Sequence, residues 1–132
     1  MAPRAEPIPT TEYDAVLAAA QCYFDSLKTA DRGLLEEAFH DDAILAGWFL
    51  NGIQSEGSYR DLHDYYEAHG PSVDINTRAD VMHIAPTAAV VKADMEGTPG
   101  NPYIDLLGLI KVDGKWKILM KASRECRKPS VG

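Results

Sequence analysis

Asp105 is the residue whose surroundings suit it least. It lies in the run Tyr103-Ile104-Asp105-Leu106-Leu107-Gly108-Leu109, where strand alternation puts it on one face with Tyr103, Leu107 and Leu109. A carboxylate on an apolar strand face is costly unless it is paired or protonated. It is therefore either bonded to backbone or to a buried Tyr or Trp, or it is an acid facing a pocket. Tyr23 sits beside the main apolar stripe of a predicted helix. Its hydroxyl either reaches a cavity or is satisfied within the core. His83 shares its strand parity with Val81 and Ala79, so it is a satisfied core histidine or, at an acid–base site, the available base. Trp48 and Phe49 alternate on an early strand, so one of them should face inward. With Tyr66 they make aromatic pocket walls, or plain core.

Other chemistries find little support. His40 stands where a helix is expected to end, and the helix dipole accounts for it there. His63 and His69 are expected in solvent. His40, Asp41 and Asp42 are adjacent, which does not let three ligands converge, so no metal is expected. Cys22 and Cys126 show neither metal spacing nor a disulfide framework and are expected to be reduced. There is no glycine-rich phosphate loop and no nucleophile elbow, and no cofactor is expected. With 20 acidic against 13 basic residues the net charge is −7. Such a surface repels phosphates, so neither nucleic acid nor an anionic membrane is an expected partner. The segment Met1-Ala2-Pro3-Arg4-Ala5-Glu6-Pro7 lacks the apolar core of a signal peptide, and no run is long enough to span a membrane. A cytoplasmic location is the expectation.

The elements that must position these residues come as helices first and strands after. Residues 1–10 are a Pro-rich lead, 11–126 one domain and 127–132 a tail. Thr11 and Asp14 form the pattern of a capping box, and 12–29 contains neither Gly nor Pro. Tyr13, Leu17, Ala20, Phe24 and Leu27 make a helical stripe, with Val16 and Tyr23 beside it. Asp31 can cap a short second helix that turns Leu34, Leu35, Ala38 and Phe39 inward. Residues 43–49 read as a strand, and Asn51-Gly52 as a turn. Ser58 and Asp61 then suggest a third helix with Tyr59, Leu62 and Tyr66 inward, stopped at Gly70-Pro71. From residue 74 the period is two. Strands are predicted around 75–81, 89–96, 103–112 and 116–122, the last two joined by the hairpin signal Asp113-Gly114. Three helices followed by consecutive antiparallel strands are an α+β pattern, with helices on one face of a bent sheet. The strand 103–112 carries Ile104, Leu106, Ile110 and Val112 on its other parity. That second apolar face needs cover, and a homodimer is the expected solution.

Two runs carry a family resemblance. Tyr23-Phe24-Asp25-Ser26-Leu27-Lys28-Thr29-Ala30-Asp31 with Ala38-Phe39-His40-Asp41-Asp42-Ala43 resembles the helix pair that opens the cone of the nuclear transport factor 2-like superfamily. The run from Tyr103 to Ile118, with Asp113-Gly114-Lys115-Trp116-Lys117-Ile118 at its end, resembles its closing hairpin, most of all in the lumazine-binding branch. The likeness covers roughly residues 12–124 and implies a cystatin-like cone with three helices on a curved sheet. It leaves function open, since this cone hosts isomerases, dehydratases, polyketide cyclases and plain binding modules. In the ketosteroid isomerase branch, a helix Tyr and a late-strand Asp both donate to an oxyanion. Tyr23 and Asp105 match them by motif position. The position where that branch carries its general base is Gly47 here, and a glycine cannot move a proton.

Two functional classes follow. One is a module that binds a small, largely apolar organic molecule, anchored by Tyr23 and Asp105 and walled by Trp48, Phe49 and Tyr66. The other is a cofactor-independent isomerase, dehydratase or cyclase using Asp105, Tyr23 and His83 as acid–base groups.

Overall fold

The structure, a computed structural model, describes residues 6–48, 54–98 and 101–127. Helix α1 (Thr10–Thr29) is followed by α2 (Arg32–Ala38). Strands β1 (Phe39–Trp48) and β2 (Gln54–Ser58) come next, and a 3₁₀ turn (Tyr59–Asp61) leads into α3 (Leu62–His69). Strands β3 (Asn76–Ile84), β4 (Ala88–Glu96), β5 (Tyr103–Val112) and β6 (Lys115–Glu125) complete the chain. The six strands form one sheet in the order β2-β1-β6-β5-β4-β3. Its pairings are antiparallel except β1 with β6, which run parallel. The sheet is thus mixed rather than wholly antiparallel, because the chain returns through the meander β3–β6 to lay its last strand beside its first. Helices on one side of this curved, unclosed sheet make the α+β cone of the cystatin-like fold.

Helix α1 begins one residue before the expected box. Pro9 is its N-cap and makes no side-chain cap, so Thr11 caps nothing. The helix is held at that end by Glu12, whose carboxylate accepts from Lys111 Nζ and Trp116 Nε1, both at 2.8 Å. This ties its first turn to the β5–β6 hairpin. At the other end Ala30 adopts a left-handed conformation, and Asp31 caps α2 by accepting from the Leu34 amide at 3.1 Å. The buried face of α1 runs through Val16, Ala20, Tyr23, Phe24, Ser26 and Leu27. It is rotated from the expected stripe, so Tyr13 is exposed and Tyr23 fully inside. This face packs on the inner residues Val91 and Ala93 of β4, Leu107 and Leu109 of β5 and Ile118 of β6.

Two one-residue irregularities reset which residues face inward. In β3, Val81 pairs with Val91 but His83 pairs with Val90, so Met82 is inserted. In β6, Met120 pairs with Gly108 but Ile118 pairs with Leu109, so Leu119 is the extra residue. An inserted residue shifts the two-residue alternation and bends the strand. Beyond each one, side chains expected on one face lie on the other. The outer face exposes Ile44, Trp48, Ile104, Leu106 and Met120.

Candidate functional site

The inner face of the sheet carries a polar row in otherwise apolar surroundings. On β5, Asp105 stands opposite Ser123 of β6, and Leu107 opposite Lys121. On the other side of β6, Lys121 pairs with Leu45 and Ser123 with Gly47 of β1. Register therefore brings Asp105, Lys121 and Ser123 to one face beneath α1. Asp105 is wholly buried and Lys121 only 8 % exposed. Lys121 Nζ lies 3.6 Å from Asp105 Oδ2 and donates to Ser123 Oγ at 2.6 Å. From α1, Tyr23 Oη donates to the same Oδ2 at 3.4 Å, and the Lys121 ammonium sits 5.9 Å from the centre of the Tyr23 ring. Both contacts to Oδ2 are long for charge-assisted bonds. Asp105 Oδ1 is buried with no hydrogen-bond partner among the described residues.

These groups adjoin a cavity of about 200 Å³ between the helices and the sheet. Its apolar wall includes Leu27, Leu45, Leu62 and Met95, and its polar groups include Tyr23, Asp61, Tyr65, Tyr103, Lys121 and Ser123. Tyr23 and Lys121 line the wall, and Asp105 stands behind them as their shared counter-charge. The Tyr23 ring is fixed by an edge-on contact with Phe39 at 5.4 Å, and Phe39 stacks on Tyr59 at 5.1 Å. Burial, then the nearby Asp105 charge, holds the Tyr23 phenol well above its ordinary range. It therefore remains a hydrogen-bond donor throughout neutral pH.

The other candidates fall elsewhere. His83 is exposed, because the Met82 insertion turns it off the face that Val81 occupies. It does not line the cavity. Trp48 is 61 % exposed on the outer face, since it shares parity with Ile44 while Leu45 and Gly47 line the cavity. Phe49 lies outside the described residues. Tyr66 is buried but bonds Ser26 Oγ at 2.6 Å in the core, and its neighbour Tyr65 takes the wall position. Asp105 backs the cavity wall and does not line it, because the longer Tyr23 and Lys121 side chains close over it. His40 lies in β1, not at a helix end, with Nδ1 accepting from the Asp42 amide at 3.0 Å. His63 is half-buried and not in open solvent. Among the described residues no cluster of His, Cys, Asp and Glu is placed to hold a metal, and no helix is long and apolar enough to cross a membrane. Several polar wall residues carry no site signal in the sequence, among them Asp61, Tyr65, Lys121 and Ser123. The Ser58–Asp61 spacing suggests a cap for Asp61, but Ser58 Oγ alone caps that turn, accepting from Arg60 N at 3.2 Å. Lys121 was hidden by the Leu119 insertion.

The buried phenols give the fold a defined alkaline limit. Tyr66 and Tyr103 are each pushed up to about 12, chiefly by burial, and burial likewise raises Tyr23 well above its ordinary value. An unfolded tyrosine ionises near pH 10. Between the unfolded and folded values the native state holds more protons. The stabilisation is thus complete below about pH 10 and is lost as pH rises through about 12. Urea unfolding midpoints should be flat near pH 8–9 and fall steadily above about pH 10. A midpoint unchanged to about pH 11.5 would show that these rings are not buried as described.

Comparison with known proteins agrees with this architecture. The family model described as "Putative lumazine-binding" matches residues 11–123. A relative, Aldolase FrzH from Cladobotryum sp, is 36% identical over 118 residues, which are 89% of this chain and 94% of that protein. A nuclear transport factor 2-like protein of unknown function from Shewanella baltica superposes with a TM-score of 0.82 at 25% identity, covering 95% of this chain and 100% of that one. A ketosteroid isomerase-like protein from Erwinia carotovora atroseptica superposes with a TM-score of 0.68 at 19% identity, over 89% of this chain and 98% of that one. This last likeness shows the fold alone. The chain belongs to the family described as "Putative lumazine-binding", within the nuclear transport factor 2-like superfamily.

Proposed function

We propose that the cavity binds a small, largely apolar organic molecule through its carbonyl group and performs aldol-type carbon–carbon chemistry on it. The observation that carries this reading is the meeting of a phenol and an ammonium on one cavity wall, with a buried carboxylate behind both. In aldol addition or its reverse, negative charge develops on a carbonyl oxygen as an enolate forms. Preorganised donors in a water-poor site stabilise such charge, and losing one costs about 10²–10³ in rate. Tyr23 and Lys121 are donors of that kind. The apolar wall suits the carbon skeleton, and Asp61 supplies a carboxylate on the same wall for proton transfer. The 36% identical relative is itself named an aldolase, which supports the reaction class. Gly47 stands where the isomerase relatives carry a base, so steroid isomerisation is not the activity expected.

A β-hydroxy ketone that releases a fluorescent naphthaldehyde on retro-aldol cleavage tests the proposal. Turnover should exceed that of buffer, and Tyr23→Phe should lower kcat/KM by about 10²-fold. Cleavage no faster than buffer, in a preparation that still binds a fluorescent phenol in a Tyr23-dependent way, would leave a binding module and remove the aldol assignment.

We also propose that two copies associate through the outer sheet face. Ile44, Trp48, Leu106 and Met120 are neighbours there and exposed, and apolar patches of this kind mark association surfaces. Light scattering at micromolar concentration should give twice 14.5 kDa, and Leu106→Lys should halve that mass. A clean monomer of the unmodified chain would contradict it.

A further inference from the structure

We propose that Lys121 is the covalent centre of this site, forming a Schiff base with the substrate carbonyl. The inference rests on the aldol assignment and specifies how that reaction acquires its electron sink. Lys121 is the cavity's amine, 8 % exposed, and its Nζ is 3.6 Å from Asp105 Oδ2. A protonated amine has no lone pair and cannot attack a carbonyl. Activation needs a proton acceptor beside it and little water to solvate the cation. Asp105 is that acceptor, and the 2.6 Å bond from Lys121 Nζ to Ser123 Oγ, itself on the cavity wall, holds the nitrogen at the cavity edge.

The Asp105–Tyr23 contact completes the proton path. Asp105 takes a proton from the ammonium, and the freed pair forms the C–N bond at the carbonyl carbon. The C–O π pair moves onto oxygen, which takes the Tyr23 proton, and Tyr23 recovers one from Asp105 across 3.4 Å. The carbinolamine nitrogen, still carrying two hydrogens, passes one to the hydroxyl by the same Asp105–Tyr23 route. The C–O bond breaks with its pair on the departing water, and the remaining nitrogen pair forms the C=N bond of a protonated imine. In the cleavage direction, a carboxylate takes the β-hydroxyl proton. The C–C bond breaks, the aldehyde departs, and the bond pair flows into the iminium as an enamine. Protonation at carbon and addition of water release the second product and restore the amine. No redox partner is required, and water is the only co-reactant.

The probe is acetylacetone, a 1,3-diketone that condenses with a neutral, enclosed amine to give a stable conjugated enaminone with a near-ultraviolet band. Exposed lysines, protonated at neutral pH, react far more slowly. The expected result is one equivalent of enaminone per chain. Intact mass should rise by one diketone less one water, and peptide mapping should place the adduct on Lys121. Lys121→Arg keeps a cation beside Asp105 and should lose both band and adduct while its circular dichroism is unchanged. If Lys121→Arg does not fold, prior saturation of the unmodified protein with the fluorescent phenol should instead slow the reaction at least tenfold. No band in the unmodified chain, or an adduct spread over surface lysines, would overturn the Schiff base. Naphthaldehyde release in that same preparation would then show that aldol chemistry survives by hydrogen bonding alone. An adduct at Lys121 without any cleavage would instead overturn the aldol assignment and keep the reactive amine.

Discussion

An ion pair in the wall of an apolar cavity is the constraint around which this molecule is arranged. Removing a carboxylate and an ammonium from water costs several kcal/mol for each ion, and their attraction offsets this only with good geometry and satisfied remaining valences. Here the satisfaction is incomplete. Lys121 also bonds Ser123, Asp105 Oδ2 is shared between Lys121 and Tyr23, and Oδ1 has no partner among the described residues. Apolar side chains of similar volume in place of such a pair are commonly neutral or stabilising. Stability alone therefore does not explain why the charges are there.

Placement of the pair follows from the sheet rather than from the helices. Asp105 and Ser123 face each other across β5 and β6, and Lys121 lies one inner step along. The parallel pairing of β1 with β6 brings Leu45 and Gly47 against that same step, so the cavity floor is continuous across three strands. Helix α1 supplies Tyr23 from above, clamped by Phe39 and Tyr59. On this first strand, Gly47 lines the cavity without a side chain. The ammonium of the cavity wall comes from β6, at Lys121, two residues before the Ser123 that pairs with Gly47. The polar groups of this cone thus come from a few inward positions on α1, β5 and β6.

Alternation made Asp105 legible in the sequence because β5 stays regular from Tyr103 to Gly108. Its odd carboxylate stood out against Leu107 and Leu109, and its inward direction follows without tertiary information. Tyr23 was legible as a helix-face residue, although the buried face is rotated from the expected stripe. The hairpin at Asp113-Gly114 was legible because Asp113 and Gly114 both take positive φ there, as a two-residue turn requires. Lys121 and His83 were misread for one physical reason. Each follows a single inserted residue, Leu119 or Met82, and simple parity reverses beyond such a point. The insertions are invisible in composition because both residues are apolar and fit a strand. Counting alternation through them puts the lysine on the outer face and the histidine on the inner one, the reverse of the structure. Trp48 was ambiguous for a related reason. Alternation alone does not say which way Trp48 points, and only the β1–β6 register turns it to the outer face.

The coupling between Lys121 and Asp105 is what a double-mutant cycle measures most directly. Lys121→Met, Asp105→Leu and the double variant would be compared with the unmodified chain by urea unfolding at pH 7. Each single change strands a buried charge and should cost about 3–5 kcal/mol. The double variant removes both charges, so its cost should not exceed that of either single change. Two small costs that simply add would contradict the account, since they would mean that the ammonium and the carboxylate do not share one buried site.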